Sequence, residues 1–137
     1  MALPNGGGGY QIGDGNINEI DFFVTAVPAT ATATATLTAA QVLNGTLLGS
    51  PGSSAASYTL PTVADLENTL LNADKPGITF DFSVVNVDGS GSGVITLVTN
   101  TGWTLVGLMT VAATAGTAQL FRARKTGTGT WTLYRRG

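Results

Sequence analysis

The sequence predicts an all-β domain, a jelly roll or a β-sandwich or barrel, with one or two short helices at about 39–44 and 63–72. Three observations predict it. From residue 78 onward, short runs alternate apolar and polar side chains at intervals of roughly ten residues. Gly, Asn, Asp and Ser separate these runs, as turns require. Leu, Ile, Val and Phe supply 35 of the 137 residues, and with a net charge of only −2 this excludes a disordered polymer.

The elements follow in order. Residues 1–20 are expected to form a Gly-rich N-terminal arm and residues 21–137 a single β domain. Six glycines fall within residues 4–16, and Gly6, Gly7, Gly8 and Gly9 run uninterrupted into Tyr10. Such a stretch loses too much backbone entropy to order alone, so it reads either as a frayed terminus or as an arm lying on a neighbouring subunit. Residues 21–27 read as a first strand. The strict Ala-Thr alternation over 29–36, ending in Leu37, has the period of an extended strand with alanines on one face and threonines on the other. Alanine has poor strand propensity, and a low-complexity linker is an equal reading of the same run.

Two helices are argued from their caps. Thr38-Ala39-Ala40-Gln41 fits a capping box, and Gly45 can end the turn that follows. Thr62-Val63-Ala64-Asp65 repeats the logic, with Pro61 before the cap and Asp65 and Glu67 favouring the positive end of the helix dipole. Val63, Leu66, Leu70 and Leu71 recur at helical spacing, and Lys75-Pro76-Gly77 ends the helix. Beyond it, Ile78, Phe80, Phe82 and Val84 share one strand face, and Thr79, Asp81 and Ser83 the other. Residues 86–93 form a turn before a returning strand at 94–99. Asn100-Thr101-Gly102 turns into Trp103-Thr104-Leu105-Val106, and Gly107 separates this from Met109-Thr110-Val111. A strand over 117–125 and another over 130–135 close a last hairpin around Thr126-Gly127-Thr128-Gly129.

Composition removes much chemistry. The chain has no His and no Cys, so it offers no imidazole base, thiolate, zinc finger or disulfide. No apolar run approaches a bilayer span, and the N-terminus lacks the basic flank and apolar stretch of a signal peptide. Glycoside hydrolysis needs only two carboxylates, but Asp65 and Glu67 diverge on their helix, and Asp81 and Asp88 have strand and turn roles. The Gly-Ser run at 89–93 lacks the lysine and following helix of a phosphate loop. Trp103 is expected as a buried indole at the edge of the core. No enzyme activity, cofactor or metal is expected.

Charge is unevenly placed. All eight carboxylates lie between Asp14 and Asp88, whereas Arg122, Arg124, Lys125, Arg135 and Arg136 crowd into the C-terminal end. Leu120, Arg122 and Arg124 share one side of their strand, and Phe121, Ala123 and Lys125 the other. The acidic and basic parts pair either inside one subunit or between copies, and an acidic chain is a poor match for nucleic acid. The candidate interface residues are Gly6 to Gly9, Tyr10, Arg122, Arg124, Arg135 and Arg136.

The stretch from Tyr58-Thr59-Leu60-Pro61-Thr62 through the capped helix to Phe80-Asp81-Phe82-Ser83-Val84-Val85-Asn86 resembles small virion proteins of tailed bacteriophages. So do Gly93-Val94-Ile95-Thr96-Leu97, Gly102-Trp103-Thr104-Leu105-Val106-Gly107 and Phe121-Arg122-Ala123-Arg124, and the likeness covers about residues 36–136. Some such proteins decorate, or cement, the capsid. The resemblance implies an oligomeric β module, usually a homotrimer, bound to the major capsid protein on the outer capsid surface of the virion. It would be made in the host cytoplasm, with no nucleic-acid, membrane or small-molecule partner. Repetitive Gly/Thr-rich β domains also occur in tail fibres. The alternative is therefore a tail-fibre or receptor-binding module for host glycans, which would expose Trp103, Trp131 or Tyr134 for stacking.

Overall fold

The computed structural model describes residues 22, 24–72 and 75–137; the Gly-rich arm, with Gly6 to Gly9 and Tyr10, lies outside them. Among the described residues the order is β1 (Ala29–Ala31), β2 (Ala35–Thr36), α1 (Ala39–Leu43), β3 (Thr46–Gly49), β4 (Ala56–Thr59) and α2 (Val63–Thr69). It continues through β5 (Thr79–Asn86), β6 (Ile95–Val98), β7 (Trp103–Val106), β8 (Thr110–Val111), β9 (Thr117–Gly127) and β10 (Thr130–Arg135). The class is the expected one: strands in two sheets, with two short helices. One sheet has the order β1-β3-β5-β9-β10-β7, the other β2-β4-β6-β8.

The pairing differs from that of a jelly roll, whose strands run antiparallel. Five of the eight pairings among the described residues are parallel. The chain passes from the large sheet to the small one and returns through a helix, so β1, β3 and β5 stack in one sheet and β2, β4 and β6 in the other. Each pass is a rung of a short, solenoid-like coil. The coil then reverses: β8 runs against β6, and the β9–β10 hairpin inserts between β5 and β7 in the large sheet.

The Ala-Thr run supplies the first rung and is two strands rather than one. Thr32 to Thr34 make the corner between them, held where the Tyr58 hydroxyl meets the carbonyls of Ala31 (3.0 Å) and Thr32 (3.2 Å). The small inward side chains Ala29 and Ala31 make this the thinnest rung, at the edge of its sheet. The strand expected over 21–27 is absent from the residues described there. Phe22, Val24 and Val27 are 88%, 102% and 85% exposed, and apolar residues without a partner strand gain nothing from an extended ladder.

Both helix caps form. Thr38 Oγ1 accepts from Gln41 N at 3.2 Å, and Gln41 Oε1 accepts from Thr38 N at 2.8 Å, completing the capping box. Thr62 Oγ1 accepts from Asp65 N at 3.1 Å. The second helix ends at Thr69, earlier than expected, because Leu70 leaves helical geometry and Leu71 has no apolar surface to cover. Its inward side chains, Val63 and Leu66, join Leu47, Tyr58, Phe82, Val84, Ile95, Leu97, Phe121 and Trp131 in one core. Gly102 shows how closely α2 meets the sheet. Its φ is +93°, and an added Cβ would lie 2.7 Å from Val63 and 2.8 Å from the Gly129 carbonyl.

The corner loops are latched by a buried amide. Asn86, fully buried at the end of β5, donates through Nδ2 to the carbonyls of Gly93 and Ala112, both at 2.9 Å, and accepts from Gly89 N at 2.7 Å. This one side chain fixes the 87–93 turn against the loop that follows β8.

Candidate functional site

The side chains of β9 alternate between two environments. Phe121, Ala123 and Lys125 point into the core; Leu120, Arg122 and Arg124 point out, as the sequence alternation requires. The burial of Lys125, 5% exposed, is the exception that needs a reason. Its ammonium pairs with Glu67 on α2, and the same Glu67 oxygen accepts from Trp131 Nε1 at 3.0 Å. Lys125 Nζ also sits 5.9 Å from the centre of the Trp131 ring. The lysine hydrogen bond holds the Glu67 carboxyl below its ordinary value, against the opposing push of desolvation, and the Trp131 bond adds to the lowering. This cluster ties α2 to the hairpin.

The outer face of the large sheet is different. Across β5, β9, β10 and β7, the register sets Asp81, Arg122, Tyr134 and Val106 in one row. Thr79, Arg124, Thr132 and Thr104 form the next row. Leu120 lies beside Ser83, and Arg136 N donates to the Leu120 carbonyl at 2.8 Å, carrying the ladder past the end of β10. Leu48 and Val85 pair farther along the same face. Leu120 and Val106 remain 41% and 46% exposed, so this face is open to solvent.

Its electrostatics are lopsided. Arg122 clamps Asp81 with two bonds, Nε to Oδ1 at 2.6 Å and Nη2 to Oδ2 at 2.9 Å. That hydrogen bonding holds the Asp81 carboxyl below its ordinary value, against desolvation; the Arg122 charge adds to it, and Arg136 contributes more weakly. Three guanidinium groups, from Arg122, Arg124 and Arg136, therefore share the face with one carboxylate. Arg124 and Arg136 have no ion-pair partner among the described residues. Part of the charge split is thus resolved inside one chain, by Arg122–Asp81 and Lys125–Glu67.

The structure brings Arg122, Arg124 and Arg136 together and sets Arg135 apart. Arg135 lies on the other side of β10 and donates to the Leu108 carbonyl at 3.2 Å. Both tryptophans are buried, Trp103 with its Nε1 on the Pro61 carbonyl at 2.7 Å, so neither can stack on a sugar ring. Asp88 accepts from Gly52 N at 3.1 Å, and no group of three His, Cys, Asp or Glu side chains able to hold a metal occurs among the described residues. A groove of about 600 Å³ lies between the starts of the two helices, beside Thr38, Thr62 and Asp65. The threonine hydroxyls there are already used as caps.

No protein-family model, no curated protein and no solved structure matches the chain. The site therefore rests on its own geometry. Asp81, read from the sequence only as a strand residue, is the member that sequence reasoning missed, and Tyr134 was named there only as a stacking candidate for the glycan alternative. Their places depend on the β5–β9 and β9–β10 registers, and no local motif carries that information.

Proposed function

We propose that the chain is a non-enzymatic virion protein of the capsid decoration type, binding the outside of a phage head and stabilising contacts between capsomers. The observation that carries the reading is the open outer face of the large sheet: apolar at Leu120 and Val106, aromatic at Tyr134, and net positive through Arg124 and Arg136. Such a face suits a broad, charge-complementary protein surface better than a small ligand. A rigid two-sheet core gives it a fixed shape, and the charged residues on it are few enough to desolvate. The resemblance of residues 36–136 to small phage virion proteins points the same way. The tail-fibre alternative loses its best stacking candidates with the burial of Trp103 and Trp131, leaving Tyr134.

Binding only to the assembled shell would stabilise it by mass action, and repeated equivalent sites would add avidity. The test is co-sedimentation of the purified chain with undecorated heads, followed by heating of the loaded and bare heads. Saturable binding and a higher rupture temperature are expected. Absence of binding, together with retention on a glycan array, would move the assignment to the fibre class.

A further inference from the structure

Strands β9 and β10 form one hairpin whose two sheet neighbours, β5 and β7, both belong to the rest of the domain. Its inward side chains meet partners outside it. Phe121 packs beside Phe82, Trp131 lies beside both Phe80 and Trp103, and Lys125 pairs with Glu67 on α2. The residues after β10 go with the hairpin, since the Gly137 carbonyl accepts from Gln119 Nε2 at 2.8 Å.

Residues 112–116 join β8 to this hairpin, and Ala112, Thr114, Ala115 and Gly116 are exposed. Gly116 N donates to the Asn86 carbonyl at 2.7 Å, and Thr117 N donates to the Thr114 carbonyl at 3.0 Å. Both bonds exist only while the chain turns back toward its own β5. Gly116 holds a φ of +88°, which L side chains rarely adopt, yet a Cβ there would meet no atom within 4 Å. The glycine therefore serves the backbone angle of the corner and not a close approach.

From this arrangement we infer that the β9–β10 hairpin is exchangeable: with residues 112–116 extended, it leaves its own slot between β5 and β7 and fills that of a second copy. The strand pairings, the aromatic contacts and the Lys125–Glu67 pair are all remade across the two chains, because hairpin and slot are the same in each copy. What separates the closed monomer from the exchanged dimer is the corner, with its positive φ and its two turn bonds, set against protein concentration. Gly116 is the catch that keeps the hairpin in its own chain. The contact is isologous, hairpin for hairpin, and closes as a two-fold dimer. It uses the interior of the large sheet and not its outer face, so it stands apart from the decoration reading.

The test is the mass of full-length Gly116→Pro beside the wild type, by light scattering at matched concentration. Proline fixes φ at about −65° and has no N–H for the Asn86 carbonyl, so it opens the corner without touching the core. The variant is expected to raise the ratio of dimer to monomer at least about tenfold while keeping the wild-type circular dichroism. Disulfides then show which parts meet, because the chain has no cysteine of its own. Ser83 and Leu120 are partners across β5 and β9, and Ser83 N is turned to the Gly45 carbonyl at 3.0 Å. They are thus a non-hydrogen-bonded antiparallel pair, the closer kind. Ser83→Cys and Leu120→Cys placed in one wild-type chain are expected to close an internal bond. Gly116→Pro chains carrying either cysteine alone, unfolded in urea and refolded together, are expected to give the mixed disulfide dimer in excess of both homodimers. A folded monomer in Gly116→Pro would overturn the inference, as would a dimer without that excess. If Gly116→Pro fails to fold, the two single-cysteine chains are refolded together without it at high protein concentration, and absence of the mixed disulfide overturns the inference equally.

Discussion

Strand β9 carries two ion pairs, three residues apart on opposite faces, and they serve different ends. Lys125 is buried and shares Glu67 with the Trp131 indole. Arg122 is 40% exposed, and its partner Asp81 38%. The inner pair joins elements far apart in sequence, so losing one member strands the other in the core. The outer pair joins adjacent strands that the backbone ladder already holds, and water competes for both charges. One strand thus presents a face committed to stability and a face open to solvent.

The comparison is broken most severely through the aromatic of the inner cluster. Trp131→Ala removes a fully buried indole, and the destabilisation expected from thermal or urea unfolding is about 3–5 kcal/mol. Tyr134→Ala, on the same strand but the outer face, is expected to cost under about 1 kcal/mol. Similar losses in the two variants would show that the outer face is part of the stabilising core.

Next in size is the acid of the inner pair. Glu67→Ala leaves the Lys125 ammonium buried without its counter-charge and the Trp131 N–H without an acceptor. Because the Glu67 side chain is itself 26% exposed, the loss is set below the full cost of a broken buried pair, at about 2–3 kcal/mol. Glu67→Gln keeps an acceptor for the indole and is expected to recover roughly half of that. Equal losses in both variants would mean that the charge, and not the hydrogen bond to Trp131, holds the helix.

The same pair sets an acid limit. The folded-state value of Glu67 lies below its ordinary 4.5, so its contribution is complete above the unfolded value and is lost as pH falls through the folded one. Melting temperature is therefore expected to drop as pH is lowered from 4.5, and Glu67→Gln is expected to flatten that drop. Asp81 is shifted in the same direction, but its pair is exposed, so Asp81→Asn is expected to keep most of the slope. A slope that vanished with Asp81 instead would reverse the roles assigned to the two faces.

How far the sequence reveals this arrangement follows from the distance each feature spans. The helix caps were legible because Thr38 and Gln41 complete their box within one turn. The two faces of β9 were legible because alternation is local. The parallel rungs were not: Ala29 lies against Leu47, and Thr46 against Ser83, across whole intervening strands and helices. Nor could alternation explain why a lysine occupies an inward position. It placed Lys125 with Phe121 and Ala123, but the acid that makes this tolerable sits on α2, named only by the tertiary fold. The Ala-Thr run misleads for a related reason. Its period is that of a strand throughout, yet a corner in the middle sends its two halves into different sheets.

The smallest effect on folding is the most informative about the outer face. Asp81→Asn removes the carboxylate that, among the described residues, lies beside the three guanidinium groups of that face. Its melting midpoint at neutral pH is expected to stay within the error of the measurement, because an exposed pair adds little to a laddered strand. Its effect on binding to undecorated heads should be larger. With Arg122 released, the face gains positive charge, and an acidic protein surface should bind it more tightly at low salt, with the difference fading as salt screens both. Co-sedimentation at matched concentrations would show tighter binding for the variant than for the wild type below physiological ionic strength. Weaker binding would mean that Asp81 orients Arg122 for the contact, and that the geometry of the bidentate pair matters more to the face than its net charge.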